Sequence, residues 1–184
     1  MRVSRHTRPD GTRSRASYSD CGAYRYRLTR TWGQGGTLTV LMLNPSTATE
    51  AANDPTIARI EARARAAGFA GFTVLNLFAL RATRPDDLFR AADPVGPLND
   101  RLIAALARPG RAVLLAWGGD RRAAARALAV WTRLGRAGCR CDCLGQTRTG
   151  APRHPLYLPA ATAIRAFRPP DTADLLQIQS STMP

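Results

Sequence analysis

The sequence predicts one three-layer α/β domain, in which a four-stranded, mostly parallel sheet lies between helices. Of its 184 residues 45% are hydrophobic, enough for the core of a single domain. Apolar, β-branched runs alternate with helical segments at similar spacing, which is typical of strand–helix–strand units. A run that is apolar throughout fits a strand buried on both faces. We expect this domain over residues 18–168, a flexible basic arm over 1–17 and a polar tail over 169–184.

The elements follow in order along the chain. Between Tyr18 and Thr31, apolar or aromatic residues alternate with arginine, which predicts an extended edge strand with one charged face. Asp54 is expected to cap a helix that begins at Pro55 and ends at Gly68. The strands of the sheet are predicted at 37–43, 72–78, 111–119 and 139–144. Further helices are predicted near 99–107, over 120–134 and near 160–167.

The charge of the chain is large, one-sided and carried entirely by arginine. There are 27 arginines and no lysine against 13 acidic residues, which gives a formal net charge of +14. The excess is concentrated in residues 1–30 and 101–150. It favours a polyanionic partner, most simply nucleic acid, because arginines near phosphates release counterions. The alternative is a coding bias towards arginine on a tolerant surface.

The apolar runs and the cysteines of the sequence exclude several classes of protein. No apolar run has the length of a membrane span, and Met1–Arg15 lacks the apolar core of a secretory signal, so we expect a cytoplasmic protein. Cys139, Cys141 and Cys143 alternate, which predicts small buried side chains on one face of a strand rather than a zinc site. We expect no metal, no cofactor and a monomer.

Candidate functional residues follow the predicted strands, because ligands of open parallel sheets bind at the carboxyl ends of the strands. They are Asn44, Ser46, Thr47, Asn76, Phe78, Arg81, Trp117, Gly118, Gly119, Arg148, Arg153, His154 and Tyr157. The Asn44 amide is expected to orient a water molecule. The prolines around His154 direct its imidazole, which suits donation to a developing anion.

Two groups of the remaining candidates are assigned to binding. Asn76 interrupts an apolar strand, and its amide suits reading the edge of a base. The side chains expected around a base are Asn76, Phe78, Ser46, Trp117 and Tyr157. The groups expected at DNA phosphates are Arg81, Thr47, Gly118, Gly119, Arg148 and Arg153, with the two glycines opening a helix N-terminus.

Several blocks of the sequence together resemble a bacterial family, the domain of unknown function 1643 (DUF1643). They include LMLNPSTA, NLFALRAT, DPVGPLND, AWGG and LGQTRTGAPRHPLYLP. The resemblance covers roughly residues 20–168. The name of this family implies no activity.

The order of segments is also similar, more loosely, to the uracil-DNA glycosylase superfamily. Asn44-Pro45 stands at its first motif, His154-Pro155-Leu156 matches its His-Pro loop, and Asn76 corresponds to its base-reading asparagine. The first motif is close to an Asn-Pro-Gly form with Ser46 in place of glycine. The cysteines do not match the iron–sulfur branch, so no cluster is expected. The resemblance implies hydrolysis of the N-glycosidic bond of uracil or a modified or damaged base, flipped out of DNA.

Two other functions stay open at this point. One is a non-catalytic protein that binds nucleic acid and reads a modified base. The other is a hydrolase or transferase that acts on free modified nucleotides. A glycosylase releases base and leaves an abasic site, a binder shifts DNA without product, and an enzyme of free nucleotides is indifferent to DNA.

Overall fold

A computed structural model describes residues 1–159 and 161–169 of the chain. Its eight strands are β1 (Arg2–Thr7), β2 (Arg13–Tyr18), β3 (Arg25–Thr31), β4 (Thr37–Met42), β5 (Gly71–Asn76), β6 (Ala112–Leu115), β7 (Arg140–Cys143) and β8 (Arg165–Ala166). Its helices are α1 (Pro55–Ala66), α2 (Pro85–Arg90), α3 (Asn99–Ala104) and α4 (Ala124–Arg136). The predicted tail over 169–184 lies outside the described residues from position 170 onward.

All eight strands form one sheet in the order β1-β2-β3-β5-β4-β6-β7-β8. Strands β5, β4, β6 and β7 pair in parallel, whereas β1, β2 and β3 add antiparallel strands on one side and β8 adds one on the other. The α/β class is confirmed. The prediction of a four-stranded, mostly parallel sheet is wrong, because four of the seven strand pairings are antiparallel.

Apolar layers cover both faces of this sheet. On one face Ile57 and Ile60 of α1 pack with Val40 and Val74 of the central strands. On the other face the buried residues of α3 and α4 pack against those of the same strands; they include Leu41, Leu75, Leu115, Ile103 and Val130. The burial of both faces explains why the central strands read as continuous apolar runs.

The prediction of a flexible arm over residues 1–17 is wrong, because these residues form most of the β1–β2 hairpin. The hairpin is tied to the domain by Ser4 Oγ, which donates to Glu50 Oε1 at 2.8 Å. The Arg8 guanidinium also pairs with Glu61 of α1 at 2.9 Å. Charge and turn residues suggested disorder, and they concealed the alternation of exposed and buried residues in β2.

Strand β3 is an interior strand, so the predicted edge strand with one charged face is wrong. It pairs with β2 on one side and β5 on the other. Its register against β2 shifts, since Ser17 faces Arg27 but Tyr18 faces Arg25, which leaves Tyr26 as the extra residue of a β-bulge. The bulge turns Arg25 to the face of the sheet opposite from Arg27.

Three of the four predicted helices are present as α1, α3 and α4, the fourth is not found in the described residues, and the short helix α2 was not predicted. Helix α1 begins at Pro55, and its cap Asp54 accepts a hydrogen bond from the Ile57 amide at 2.8 Å, as predicted. A 3-10 turn over Arg121–Ala123 leads into α4, which ends two residues beyond the predicted span of 120–134. The helix expected near 160–167 is absent from the described part of that segment, where β8 pairs with β7 instead. No helix in the described residues combines the length and apolar character needed to cross a bilayer.

Candidate functional site

A polar cavity of about 490 Å³ lies where the parallel strands end. Its walls come from the ends of β4, β5 and β6, from the start of α1 and from the loop after β7. The predicted residues that line it are Asn44, Ser46, Asn76, Trp117, Gly118, Gly119, Arg153, His154 and Tyr157. Five separate segments therefore bring polar side chains to the carboxyl edge of the sheet, where α/β proteins bind their ligands.

The amide of Asn44 is held in one orientation. Its Nδ2 donates to the carbonyl oxygens of Pro45 at 2.9 Å and Ala82 at 2.8 Å. Because carbonyl oxygens only accept hydrogen bonds, this pairing assigns the nitrogen and leaves Oδ1 as the acceptor end. Among the described residues none donates a hydrogen bond to Asn44 Oδ1, so this oxygen suits a water molecule or a ligand hydroxyl.

The imidazole of His154 is also oriented by the backbone. Its Nδ1 accepts from the Leu156 amide at 3.4 Å, so the neutral ring carries its proton on Nε2. Burial lowers the pKa of His154, and the negative charge of Asp54 opposes this shift. At neutral pH the ring is therefore an uncharged donor through Nε2.

Asn76 ends β5 and is almost completely buried. Its Nδ2 has no hydrogen-bond partner among the described residues. A buried polar atom without a partner is uncommon in a folded protein and needs an explanation. Asn76 also lines the cavity, so its amide group is a candidate contact for a ligand.

Two charged residues in the cavity wall were not predicted as site residues. Arg25 is only 2% exposed and lines the cavity from β3. Asp54 lines it from the start of α1, where Oδ1 accepts from the Ile57 amide and Oδ2 from the Ala48 amide. Asp54 was recognised as a helix cap, but its place in the cavity follows from the path of the loop before α1. Arg25 depends on the bulge in β3, which the sequence does not reveal.

Four predicted residues lie outside the cavity. Phe78 is buried against Phe89, with ring centroids 5.6 Å apart. Arg148 is exposed and does not line the cavity. Thr47 and Arg81 line a neighbouring depression that shares Ser46 with the cavity. The stacking role expected of Phe78 therefore has no support from its position.

The two glycines after β6 line the cavity, but polar groups of the turn they form already have hydrogen-bond partners within the protein. The Gly118 amide donates to the Pro152 carbonyl at 2.9 Å. The Asp120 side chain accepts from the Arg122 amide at 3.0 Å and caps the 3-10 turn that follows. An anion at this helix N-terminus would meet the Asp120 carboxylate, so the position disfavours the predicted phosphate contact.

Two aromatic candidates differ in exposure. Tyr157 is 80% exposed and its ring centroid lies 5.7 Å from that of His154. Trp117 is buried and also lines a smaller apolar cavity of about 140 Å³, where its ring packs edge-on against Phe167. Tyr157 is thus free to contact a ligand at the cavity mouth, whereas Trp117 is held by packing.

Buried arginines hold the loops that carry the site. Arg30 of β3 makes five hydrogen bonds, three of them to the carbonyl oxygens of Thr49, Glu50 and Ala52 in the loop before α1. Arg63 of α1 donates to carbonyl oxygens in the segment after the His-Pro loop, those of Leu158, Pro159 and Thr162. Part of the arginine excess therefore orders the loops that bear Asn44 and His154.

Cys141 and Cys143 of β7, and Cys139 just before it, belong to the core rather than to this site. Cys143 is buried, while Cys139 and Cys141 pack against the apolar layer beneath α3 and α4. Burial raises the pKa of the Cys141 thiol to about 11, so this thiol is protonated at neutral pH. No group of three His, Cys, Asp or Glu side chains in the described ranges has the arrangement of a metal site.

The fold and the cavity together define an α/β protein with a polar cavity at the carboxyl edge of its parallel strands. The chain belongs to the DUF1643 family, a family of proteins of unknown function, whose model matches residues 25–156. This confirms the first resemblance, and the matched region contains Asn44, Asn76 and His154. No curated protein and no solved structure matches the chain.

Proposed function

We propose that this protein hydrolyses the N-glycosidic bond of uracil or a modified or damaged base in DNA. The observation that carries the proposal is the convergence of Asn44, Asn76 and His154 on one cavity. The looser resemblance to uracil-DNA glycosylases, which rests on the sequence alone, assigns a role to each of the same three residues. The cavity has the size of a small-molecule site, which suits a flipped nucleoside.

The chemistry divides between two oriented side chains. Asn44 Oδ1 accepts a hydrogen bond from the attacking water and directs its oxygen at C1′ of the sugar. As the new C1′–O bond forms, the C1′–N bond breaks and its electron pair leaves with the base. His154 Nε2 donates to the oxygen on which the base carries its negative charge. The proton lost by water passes to solvent, and the released base takes up a proton from solvent.

A second candidate function, nucleic-acid binding without catalysis, is favoured by the surface of the N-terminal strands. Arg5 of β1 lies directly opposite Arg15 of β2, and Arg13 and Arg27 share their face of the sheet. Among the described ion pairs none involves these four arginines, which we call the basic sheet face. Like charges on facing strands repel, and phosphates would relieve that repulsion.

The test of the proposed function is release of free base, measured by mass spectrometry. The substrates are single-stranded and duplex DNA containing uracil, hypoxanthine or a modified pyrimidine, and the corresponding free nucleotides. We expect Asn44→Ala and His154→Ala each to lower release at least about 100-fold, the usual effect of removing one preorganised polar group. Retention of DNA should change little in both variants.

His6→Ala is the matched control, because His6 is exposed on β1 and does not line the cavity. Full activity in both site variants would show that the site is wrongly assigned. DNA binding without release of any base would favour the second candidate. Release from free nucleotides alone would place the protein among enzymes of nucleotide metabolism.

A further inference from the structure

Two arginines of the same strand have opposite surroundings. Arg30 is fully buried, and its five hydrogen bonds engage every nitrogen of the guanidinium. Arg25 is buried to nearly the same extent, yet among the described residues its guanidinium makes a single hydrogen bond, from Nη1 to the Ala48 carbonyl oxygen. Its Nε has no partner in the described part of the chain. Every guanidinium nitrogen of Arg30 is thus hydrogen-bonded within the protein, whereas Arg25 has donors without a partner among the described residues.

The charge of Arg25 is not matched by a contacting carboxylate. No acidic oxygen of the described residues lies within ion-pair distance of its guanidinium. Asp54 is close enough to interact electrostatically, but both of its oxygens accept backbone amides. Burial lowers the pKa of Arg25 to about 10, so the group is still charged at neutral pH. Buried charges in proteins are usually paired or bind a ligand.

A second donor in the same cavity lacks a partner. Asn76 Nδ2 is buried and unpaired, and Asn76 and Arg25 line the cavity together. The buried side chains of Met42 and Val74 line the same cavity, and we call these four buried residues its floor. The floor therefore offers hydrogen-bond donors in excess, and a ligand that fits it supplies acceptors.

The β-bulge in β3 determines that the Arg25 side chain lies on the cavity face of the sheet. Regular pairing would put Arg25 on the same face as Arg27, with the basic sheet face. The register shift at Ser17 and Tyr18 turns it to the cavity instead. Bulges are over-represented beside active sites, where they redirect a side chain.

We propose that Arg25 is the specificity-determining residue of the cavity and binds a carbonyl oxygen of the substrate base. This rests on the proposed function, since it takes the ligand to be a base. The substrate class is then an oxo-base, such as a pyrimidine or purine with an exocyclic oxygen, and not adenine. A phosphate fits this position less well, because the floor is buried whereas Arg153 and Tyr157 at the mouth are exposed.

The test measures binding rather than catalysis. Isothermal titration calorimetry compares uracil, hypoxanthine, adenine and inorganic phosphate on the full chain and on Arg25→Met. We expect the two oxo-bases to bind the unmodified protein and adenine to bind far more weakly. Arg25→Met should weaken oxo-base binding by about tenfold or more, as loss of a charged hydrogen bond does. Arg59→Met is the control, because Arg59 is exposed on α1 and does not line the cavity.

Several outcomes overturn the inference. They are equal binding of uracil to Arg25→Met and the unmodified protein, equal binding of adenine and uracil, a loss confined to phosphate, and no binding of any base. If circular dichroism shows that Arg25→Met does not fold, Arg25→Lys takes its place. That variant keeps the charge without the planar donor pair, so we expect weaker binding, and unchanged binding contradicts the inference.

Failure of the inference and failure of the proposed function give different results. Oxo-base binding that depends on Arg25, with no base released from DNA, would overturn the proposed function alone. Base release that Arg25→Met leaves unchanged would overturn the inference alone.

Discussion

The protonation state of His154 decides what this side chain can do. Burial lowers its pKa, so the neutral ring predominates at pH 7 and offers Nε2 as a donor. The unfolded chain binds a proton more readily than the folded one between the lowered pKa and the ordinary value of about 6.5. The contribution of His154 to stability is therefore complete above about pH 6.5 and is lost as pH falls through its lowered pKa.

Proton NMR tests this prediction directly. The chain has two histidines, so two imidazole C2–H signals are expected, and His154→Ala assigns them. We expect the His154 signal to titrate below pH 6.5. Titration at or above pH 6.5 would contradict the account of a neutral donor.

Gly71 is a residue whose lack of a side chain is required by packing. A Cβ built there would lie 2.5 Å from the Arg30 carbonyl oxygen and 3.2 Å from the Thr31 Cα. Both are backbone atoms of β3, which cannot move aside without disturbing the sheet. Gly71→Ala should therefore lower the free energy of unfolding by about 1–3 kcal/mol in urea denaturation.

Gly135 of α4 is the matched control, since a Cβ there would have no neighbour within 4 Å. Gly135→Ala should leave stability unchanged or raise it by up to about 1 kcal/mol. An equal response of the two variants would show that β3 and β5 are not as close as described.

The position of a single site residue was predictable where it followed the end of a predicted strand. Asn44 follows the apolar strand β4, His154 lies in the loop after β7, and both stand beside prolines, so their place at the edge of the sheet could be predicted. Arg25 could not, because a one-residue bulge decides which face of β3 it occupies. Phe78 was misplaced for the opposite reason, since an aromatic at a strand end packs in the core as readily as in a site.

At the scale of elements, the loop before α1 depends on Arg30. Removing this guanidinium leaves the carbonyl oxygens of Thr49, Glu50 and Ala52 without their donor. Each buried acceptor left unpaired costs about 1–3 kcal/mol, so Arg30→Met should destabilise the protein by about 3–5 kcal/mol.

Denaturation in urea measures this loss. Arg13→Gln on β2 is the control, because Arg13 is exposed on the basic sheet face and should change stability by at most about 0.5 kcal/mol. A loss below about 1 kcal/mol for Arg30→Met would show that the loop keeps its conformation without the Arg30 guanidinium.

The central strands were predictable because burial on both faces leaves a continuous apolar run. The β1–β2 hairpin was not, since its outward residues include arginines and its inward ones include small polar side chains such as Ser4 and Ser14. Such alternation is weak in hydropathy, and it is incomplete in burial because Ser17 is buried on the same face as Arg13 and Arg15. The strand β8 is two residues long, which is too short for any periodicity to show.

At the scale of the whole molecule, the arginine excess has two structural roles. Arg30 and Arg63 are buried and donate to loop carbonyls, so their guanidinium groups bind the protein itself rather than a partner. The basic sheet face is one part of the molecule where several neighbouring arginines have no ion-pair partner among the described residues. Net charge alone could not separate these roles, because the sequence does not show which arginines are buried.

If DNA binds the basic sheet face, affinity there must depend on salt. Replacing Arg5, Arg13 and Arg15 together by Gln should weaken DNA binding and reduce the slope of log affinity against log salt by up to about 3. Fluorescence anisotropy with labelled single-stranded and duplex DNA measures the slope.

The control removes the same charge elsewhere, by replacing the exposed Arg101, Arg111 and Arg133 by Gln. Equal slopes for the two triple variants would show that the face has no special part in binding.

The most direct test of the account is the stoichiometry of base release by the unmodified protein. DNA containing uracil, hypoxanthine or a modified pyrimidine is incubated with the protein, and free base and alkali-labile abasic sites are counted in the same sample. We predict that one abasic site appears for each base released from at least one of these substrates. Intact DNA and no free base from all of them, under conditions where the protein binds that DNA, would contradict the account.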